Sequence, residues 1–415
     1  MVHKQNCRTL NNEGEQGLNF IMEATEIFSD PNRYSGTDST KIAHAVEAAV
    51  GFNGVVRIKA RRPDEVSDRT FWLIDEAIIL PGNTTLIIEN CMIKLSDSSR
   101  DNFIRSANCG IGITEISPLH NIHIIGIGEA VLQGADRPRA TGDSAKELGK
   151  KTYGTDAGKK AEHQKGDWRN IGILLAEIHN FSIQNLTVRD SHCWAISLEY
   201  CSQGNIRNLQ FFSNGKKLID GKNETILNQD GLDLRRGCHD ILIDSISGCA
   251  GDDLVAFTAI KPVEPHRSGE FNSTMVSSIV KGNDEDDIRN VLLRNVKGYS
   301  AGGHHIVRFL NASGIKMHNI ILDGLIDTSP QGFHCKAAIK IGDSNPVWGG
   351  VTPLGDTSGF IITNIQAKST ASVLISGSLT DSIINNVINY NPQSPGLVFA
   401  SGDENVRNVV IKSGL

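Results

Sequence analysis

The sequence predicts an all-β protein wound as a single-stranded parallel β-helix, with a capping helix at its N-terminal end. Three observations carry that expectation. A phrase of alternating apolar residues interrupted by Asn recurs along the chain. Its cleanest intervals are 22 or 23 residues, as from Asn185 to Asn208 and from Asn364 to Asn386 to Asn408. No helical periodicity separates the repeats, which disfavours βαβ architectures. Alternation with period two marks short strands with one buried face, and a repeat of this length belongs to a solenoid stacked rung on rung. A β-sandwich with coincidental spacing is the competing architecture.

Taken in order, the first segment from Met1 to Gln16 has no apolar run of the kind that leads a secreted chain. That favours a cytoplasmic location; secretion with a leader already removed is the alternative. Asp38-Ser39-Thr40 followed by Ile42, Ala43, Val46 and Ala49 has the spacing of a capped amphipathic helix, with Gly51 and Gly54 as breakers. Residues 1–69 are therefore read as an extension and capping helix, and residues 70–415 as the coil. The repeating phrase is Leu86-x-Ile88-x-Asn90-Cys91-x-Ile93 and again Phe181-x-Ile183-x-Asn185-Leu186-x-Val188. It returns around Asn208, Asn295, Asn364, Asn386 and Asn408, with Gly126, Ser245 and Gly324 as stand-ins. Asn suits such positions because it tolerates left-handed backbone and bonds to its own main chain. The charged, Gly-rich insertion from Gly134 to Asn170 reads equally as a solvated loop or as the wall of a cleft.

Composition narrows the function. Basic residues number 41 against 47 acidic, a net charge of -6 that gives no footprint for nucleic acid. No apolar run reaches the roughly 20 residues that span a bilayer. The eight cysteines and thirteen histidines show neither C-x-x-C nor H-E-x-x-H spacing, so no metal site is expected and the thiols read as reduced and buried.

Acidic residues gather at two places in an apolar setting. Asn228-Gln229-Asp230-Gly231-Leu232-Asp233 is followed by Gly251-Asp252-Asp253, and Asp230 and Asp252 are 22 residues apart. One rung of that length places the acids on one face about 4.8 Å apart, too close for all to stay ionised. A protonated acid beside an ionised one is the pair that glycoside hydrolysis requires. Asp-Gly is also a turn signal, and turn carboxylates on a solenoid bind Ca²⁺, so spacing alone leaves a structural reading open. Further on, Gly302-Gly303-His304 supplies a histidine suited to keeping a neighbouring acid protonated.

Together with Gly303-His304 and Ile339-Lys340, these motifs resemble, in order, the signatures N-T-D, D-D, G-H-G and R-I-K of glycoside hydrolase family 28, the polygalacturonases and their relatives. Trp72-x-Ile74-x-x-Ala77-x-x-Leu80-Pro81 with Asn83-Thr84-Thr85-Leu86, and Asp190-Ser191-x-x-Trp194 with Cys201, are similar too. The resemblance runs from about residue 36 to 415. It implies a right-handed parallel β-helix and hydrolysis of pectin-like carbohydrate with inversion, without a cofactor. By position it makes Asp252 the general acid and Asp230 and Asp253 the pair that activates water. His304 stands beside the acid, Lys340 binds substrate, and Asn228 and Asp233 lie within the same motif. Arg308, Arg235 and Arg236 are candidate substitutes for a missing clamp, and Trp168 is a candidate platform for a sugar face.

Three departures stand out. Gln229 replaces Thr, His305 replaces the second Gly of G-H-G, and Ala338 stands where the family has the Arg that grips a uronate carboxylate. Without that bidentate contact, plain polygalacturonate is expected to be a poor substrate, and an Arg restored at 338 would complete the fork. Two other readings remain: a Ca²⁺-dependent polysaccharide lyase, and a non-catalytic β-helix adhesin or carbohydrate-binding module.

Overall fold

The structure is a computed structural model that describes residues 28–412, except 66, 100, 111–112, 114–115, 138–169, 261–280 and 313. Its strands form two long parallel sheets, as the repeat predicts. The larger runs through Val55–Ile58, Thr84–Leu95, Leu119–Gln133, Ile178–Arg189 and Ser202–Phe212, then His239–Ala250, Ile288–Ser300, Met317–Asp327, Thr357–Ala367, Leu379–Asn389 and Val406–Lys412. The second sheet consists of shorter strands, from Ile78–Leu80 to Leu397–Phe399, that alternate with the first along the chain. Each rung therefore leaves one sheet, turns, and returns one level higher. The coil begins at Val55, ahead of the boundary expected at residue 70, because Val55–Ile58 pairs in register with Thr85–Ile88. Four residues are too short a run to announce a strand without that partner.

The Asn phrase encodes a corner. In Thr84–Leu95 the inward residues are Thr84, Leu86 and Ile88, then Cys91, Ile93 and Leu95. The alternation shifts by one at Asn90, whose φ is 46°. A left-handed residue turns the strand, so both legs keep their apolar side toward the axis. Asn185, Asn208, Ser245, Asn295, Asn364 and Asn386 all have positive φ and stack in one line. Gly324, at φ 87°, completes it. Two assignments move. Asn408 pairs opposite Asp381, not Asn386, so it belongs to a second left-handed line that includes Asn83, Asn121, Asn180, Asp240, Asn290 and Asn319. The corner in Leu119–Gln133 falls at Gly128 (φ 63°), not Gly126, because an extra residue opposes Asn90 and makes a bulge.

The Asn side chains bond between rungs instead of to their own backbone. Asn386 Nδ2 donates to Asn364 Oδ1 at 2.6 Å, Asn208 to Asn185 at 3.0 Å, and Asn180 to Asn121 at 2.6 Å. Inside, apolar residues stack in columns such as Ile206, Ile243, Leu293, Leu322, Ile362 and Ile384, all nearly solvent-free. Phe257, Phe309 and Phe360 stack through ring centroids 4.7 and 5.0 Å apart. The helix Asp38–Ala48 covers the N-terminal end of this core with Ile42, Ala45 and Val46. Its cap is Thr37, whose Oγ1 accepts from the Thr40 amide, and Ala43 turns out to be exposed. Seven cysteines are described, all free; six are buried, and burial lifts Cys91 and Cys238 to about 12. Most of the Gly134–Asn170 insertion lies outside the described residues.

Asn386→Ala should lower stability by roughly 1–2 kcal/mol, since it loses both the left-handed preference and an inter-rung bond. Asn386→Gly, which keeps the backbone conformation, should cost less. Urea titrations of both variants check this; equal losses would contradict a backbone role.

Candidate active site

Four neighbouring strands of the shorter sheet carry the candidate residues at one rim. Asp230 precedes Leu232–Arg235, Asp252 and Asp253 precede Val255–Ala259, His304 precedes His305–Asn311, and Lys340 lies in Ala337–Ile341. The rungs are tied by main-chain bonds from Gly231 N to Asp253 O at 3.0 Å and from Leu254 N to His305 O at 3.4 Å. Gly251 permits the approach of the Asp252 turn, for a Cβ there would meet Gly215 N at 2.6 Å. The Gly251 and Asp252 amides both donate to Gln229 O. Gln229 itself is buried: Oε1 accepts from the Gly215 amide at 2.8 Å and Nε2 donates to Ser191 O at 2.6 Å. It anchors the root of the hairpin formed by Lys216–Ile219 and Lys222–Thr225. The longer side chain at 229 thus ties that insertion to the acid loop.

Asp230, Asp252 and Asp253 each bring a carboxylate oxygen to within 4.8 Å of the others. Asp253 is 2 % exposed. Its Oδ1 accepts from both the backbone N and Nδ1 of His305 at 2.9 Å, and its Oδ2 lies 3.6 Å from Arg308 Nη1. Burial works against its charge, but His305 and Arg308 outweigh burial and bring the carboxyl down to about 2. Asp230 Oδ1 accepts from the Asp253 amide at 3.0 Å. Asp252 is the most open of the three, with 24 % of its side chain exposed, and its Oδ1 lies 3.5 Å from His304 Nδ1. Burial lowers the His304 imidazole; Asp253 opposes this, while Lys336, His305 and Arg308 add to it. A neutral His304 beside Asp252 can share a proton with it.

Arg308 and Lys340 are partners in register on adjacent strands. Both contact Asp343 Oδ2, Arg308 Nη2 at 3.1 Å and Lys340 Nζ at 2.7 Å. Burial pushes the Asp343 carboxyl up, but these cations and the Asn345 amide bring it below its ordinary value. Arg308 thereby links the acid cluster to Lys340. Of the three arginines considered as substitutes, Arg308 lies against the cluster, 3.6 Å from Asp253; Arg236 is fully buried against Glu199, and Arg235 lies over the Trp194 ring at 4.3 Å. Ala338 is fully buried and lies two residues before Lys340 on the same face of that strand, so an Arg at 338 would have to open the packing there to reach the cleft.

Asn228 is half-buried just before Asp230, with φ 54° and an amide Nδ2 that has no bonding partner among the described residues. Asp233 is 1 % exposed on its strand and leaves no open surface for a sugar. Trp194, at 6 % exposure, likewise packs instead of offering a platform. Trp168 lies outside the described residues. Sequence reasoning missed two residues: His305, taken only as bulk, and Asp343. The available signal for Asp343 was its place three residues after Lys340, within reach of the lysine.

A carboxyl held below its ordinary value in the folded chain contributes stability while it is ionised. Because the folded value is depressed, that stability is present above the ordinary value and is lost as pH falls through about 2. The stability gap between wild type and Asp253→Asn should therefore be widest above about pH 4 and close as pH falls toward 2. Urea midpoints across that range check it, and a gap independent of pH would contradict it.

No protein-family model matches the chain, and no curated protein matches it. Among solved structures it is similar to endo-xylogalacturonan hydrolase from Aspergillus tubingensis, with 13% identity and a TM-score of 0.52 over 93% of each chain. It is also similar to a hyperthermoactive exopolygalacturonase from Thermotoga maritima, with 15% identity and a TM-score of 0.49 over 92% of this chain and 91% of that one. A third is PfbA, a surface adhesin of Streptococcus pneumoniae, with 12% identity and a TM-score of 0.44 over 86% of this chain and 90% of that one. In fold, this chain is a right-handed parallel β-helix.

Proposed function

We propose that this protein is an inverting glycoside hydrolase acting on a galacturonate-containing or related poly- or oligosaccharide. The observation that carries the reading is the cluster of Asp230, Asp252 and Asp253, differently exposed and differently partnered. Asp253 is held ionised by His305 and Arg308, so it has no proton to give at neutral pH. Asp252 is the carboxyl that opens to solvent, beside a histidine whose protonation is suppressed. It is placed to protonate the glycosidic oxygen as the bond to carbon breaks. Asp230 and Asp253, on successive rungs, hold a water between them; one accepts its proton as the oxygen attacks the anomeric carbon.

Separation alone points the other way. Carboxyl groups roughly 5 Å apart are typical of retaining enzymes, and roughly 6.5–9.5 Å of inverting ones. A retaining mechanism requires a carboxylate oxygen free to bond carbon. Asp253 has one oxygen bonded twice to His305 and the other facing Arg308, and Asp230 has one oxygen tied to the Asp253 amide. Oxygens held in this way orient a water more readily than they attack. A Ca²⁺-dependent lyase is the second reading, favoured by the convergence of three carboxylates within 4.8 Å. Against it, His305 and Arg308 already meet the charge of Asp253.

A screen of defined pectic oligosaccharides with product-size analysis tests the reading. On a substrate so found, Asp252→Asn should reduce kcat/KM at least ~10²-fold without changing thermal melting. The first product seen by NMR should be the inverted anomer; the retained anomer would overturn the water-activating roles. Activity that disappears with EDTA, returns with Ca²⁺ and yields an ultraviolet-absorbing product would establish the lyase instead. A carbohydrate-binding module would give no turnover at all.

A further inference from the structure

We propose that the subsite beside the acid cluster, lined by Arg308, Lys340 and Asp343, takes an uncharged sugar residue and rejects a free uronate. The proposal deepens the glycosidase reading and rests on it for where the sugar sits.

The argument begins with the cations. A desolvated uronate carboxylate needs positive partners, and an unpaired one is strongly penalised. Two cations face this position, and both are already engaged by one protein carboxylate. Lys340 Nζ lies 2.7 Å and Arg308 Nη2 3.1 Å from Asp343 Oδ2. The other end of the Arg308 fork faces Asp253 Oδ2 at 3.6 Å. Side-chain exposure is 14% for Lys340, 20% for Arg308 and 9% for Asp343, so solvent screens the trio only weakly.

Counting the groups that face the pair, Arg308 and Lys340 meet Asp343 and Asp253, with Asp230 and Asp252 beyond. All four carboxylates act on the Arg308 guanidinium and favour its charge. The site is anionic before any substrate arrives. A uronate there would have to share these cations with Asp343 and would bring a further negative charge against Asp343 and Asp253. Asp343 is not free to swing aside, because its Oδ1 accepts from the Asn345 amide at 3.0 Å. A neutral ring asks for none of this: its hydroxyls can donate to Asp343 and accept from Lys340 or Arg308 while the ion pairs stay intact. Lys336 is a further cation among the described residues, exposed at the head of the strand and bonded through its backbone N to His304 O. It can meet a carboxylate on another residue of a mixed chain.

The probes are trigalacturonate and its fully methyl-esterified form, in which each carboxylate is replaced by a neutral methyl ester. Wild type should cleave the ester with a kcat/KM at least ~10-fold higher, and Asp252→Asn protein should bind it at least ~10-fold more tightly by calorimetry. Asp343→Asn frees both cations and should move each ratio at least ~10-fold toward the free acid. Should that variant fail to fold by circular dichroism, Lys340→Met serves in its place. It should leave the ester preferred, because it removes a positive charge and keeps Asp343 in place. Preference of wild type for the free acid would overturn the proposal, as would ratios unmoved in a folded Asp343→Asn protein, or no binding of either probe. Tighter binding of the ester without turnover of either probe would uphold the charge preference and remove the hydrolase reading, which keeps the two failures apart.

Discussion

The left-handed residue at each corner of the coil is the constraint on which the rest depends. An extended strand alternates its faces, so a strand that turns without correction would carry its apolar residues to the outside. One residue of positive φ shifts the alternation by one and keeps the axis apolar on both legs. That requirement recurs at every rung. Asn meets it and also supplies an amide that bonds to the rung below, as Asn386 does to Asn364. Conformation and inter-rung adhesion are thus served by one side chain, which is why the lines run nearly unbroken through insertions of different length. Where Asn is absent, Ser245 and Gly324 hold the same conformation.

The chemistry follows from the same stacking. Rungs about 4.8 Å apart bring residues at equal positions into contact however much chain separates them. Asp230 and Asp253 lie 23 residues apart, yet the amide of one bonds to the carboxylate of the other. His305 lies 52 residues beyond Asp253 and makes two bonds to it. A stack of acids on one face would repel itself, and the fold resolves this by giving the acids unequal surroundings. The buried Asp253 receives a histidine and an arginine, while the open Asp252 faces a histidine that burial keeps neutral.

Charge continues outward in the same column. Arg308 sits between Asp253 on one side and Asp343 on the other, with Lys340 on the next rung. The result is an alternation of sign across the rim of the shorter sheet instead of a positive pocket.

The sequence alone pointed to the coil, because strands of period two repeating every 22 or 23 residues without intervening helices suit a stack of rungs. It also determined that Asp230, Asp252 and Asp253 converge, since one rung of spacing brings them to one face. The capping helix was legible through Ile42 and Val46. The tertiary structure decided the rest. Register assigned Asn408 to the other corner line and moved a bend from Gly126 to Gly128, because a bulge is invisible until two strands are paired. It drew the start of the coil back to Val55, where four residues find a partner strand. It also brought Arg308 to Asp253, made His305 a partner of Asp253, and set Asp343 between two cations. Those contacts join rungs separated by unequal loops, so their distance in space bears no fixed relation to their distance along the chain.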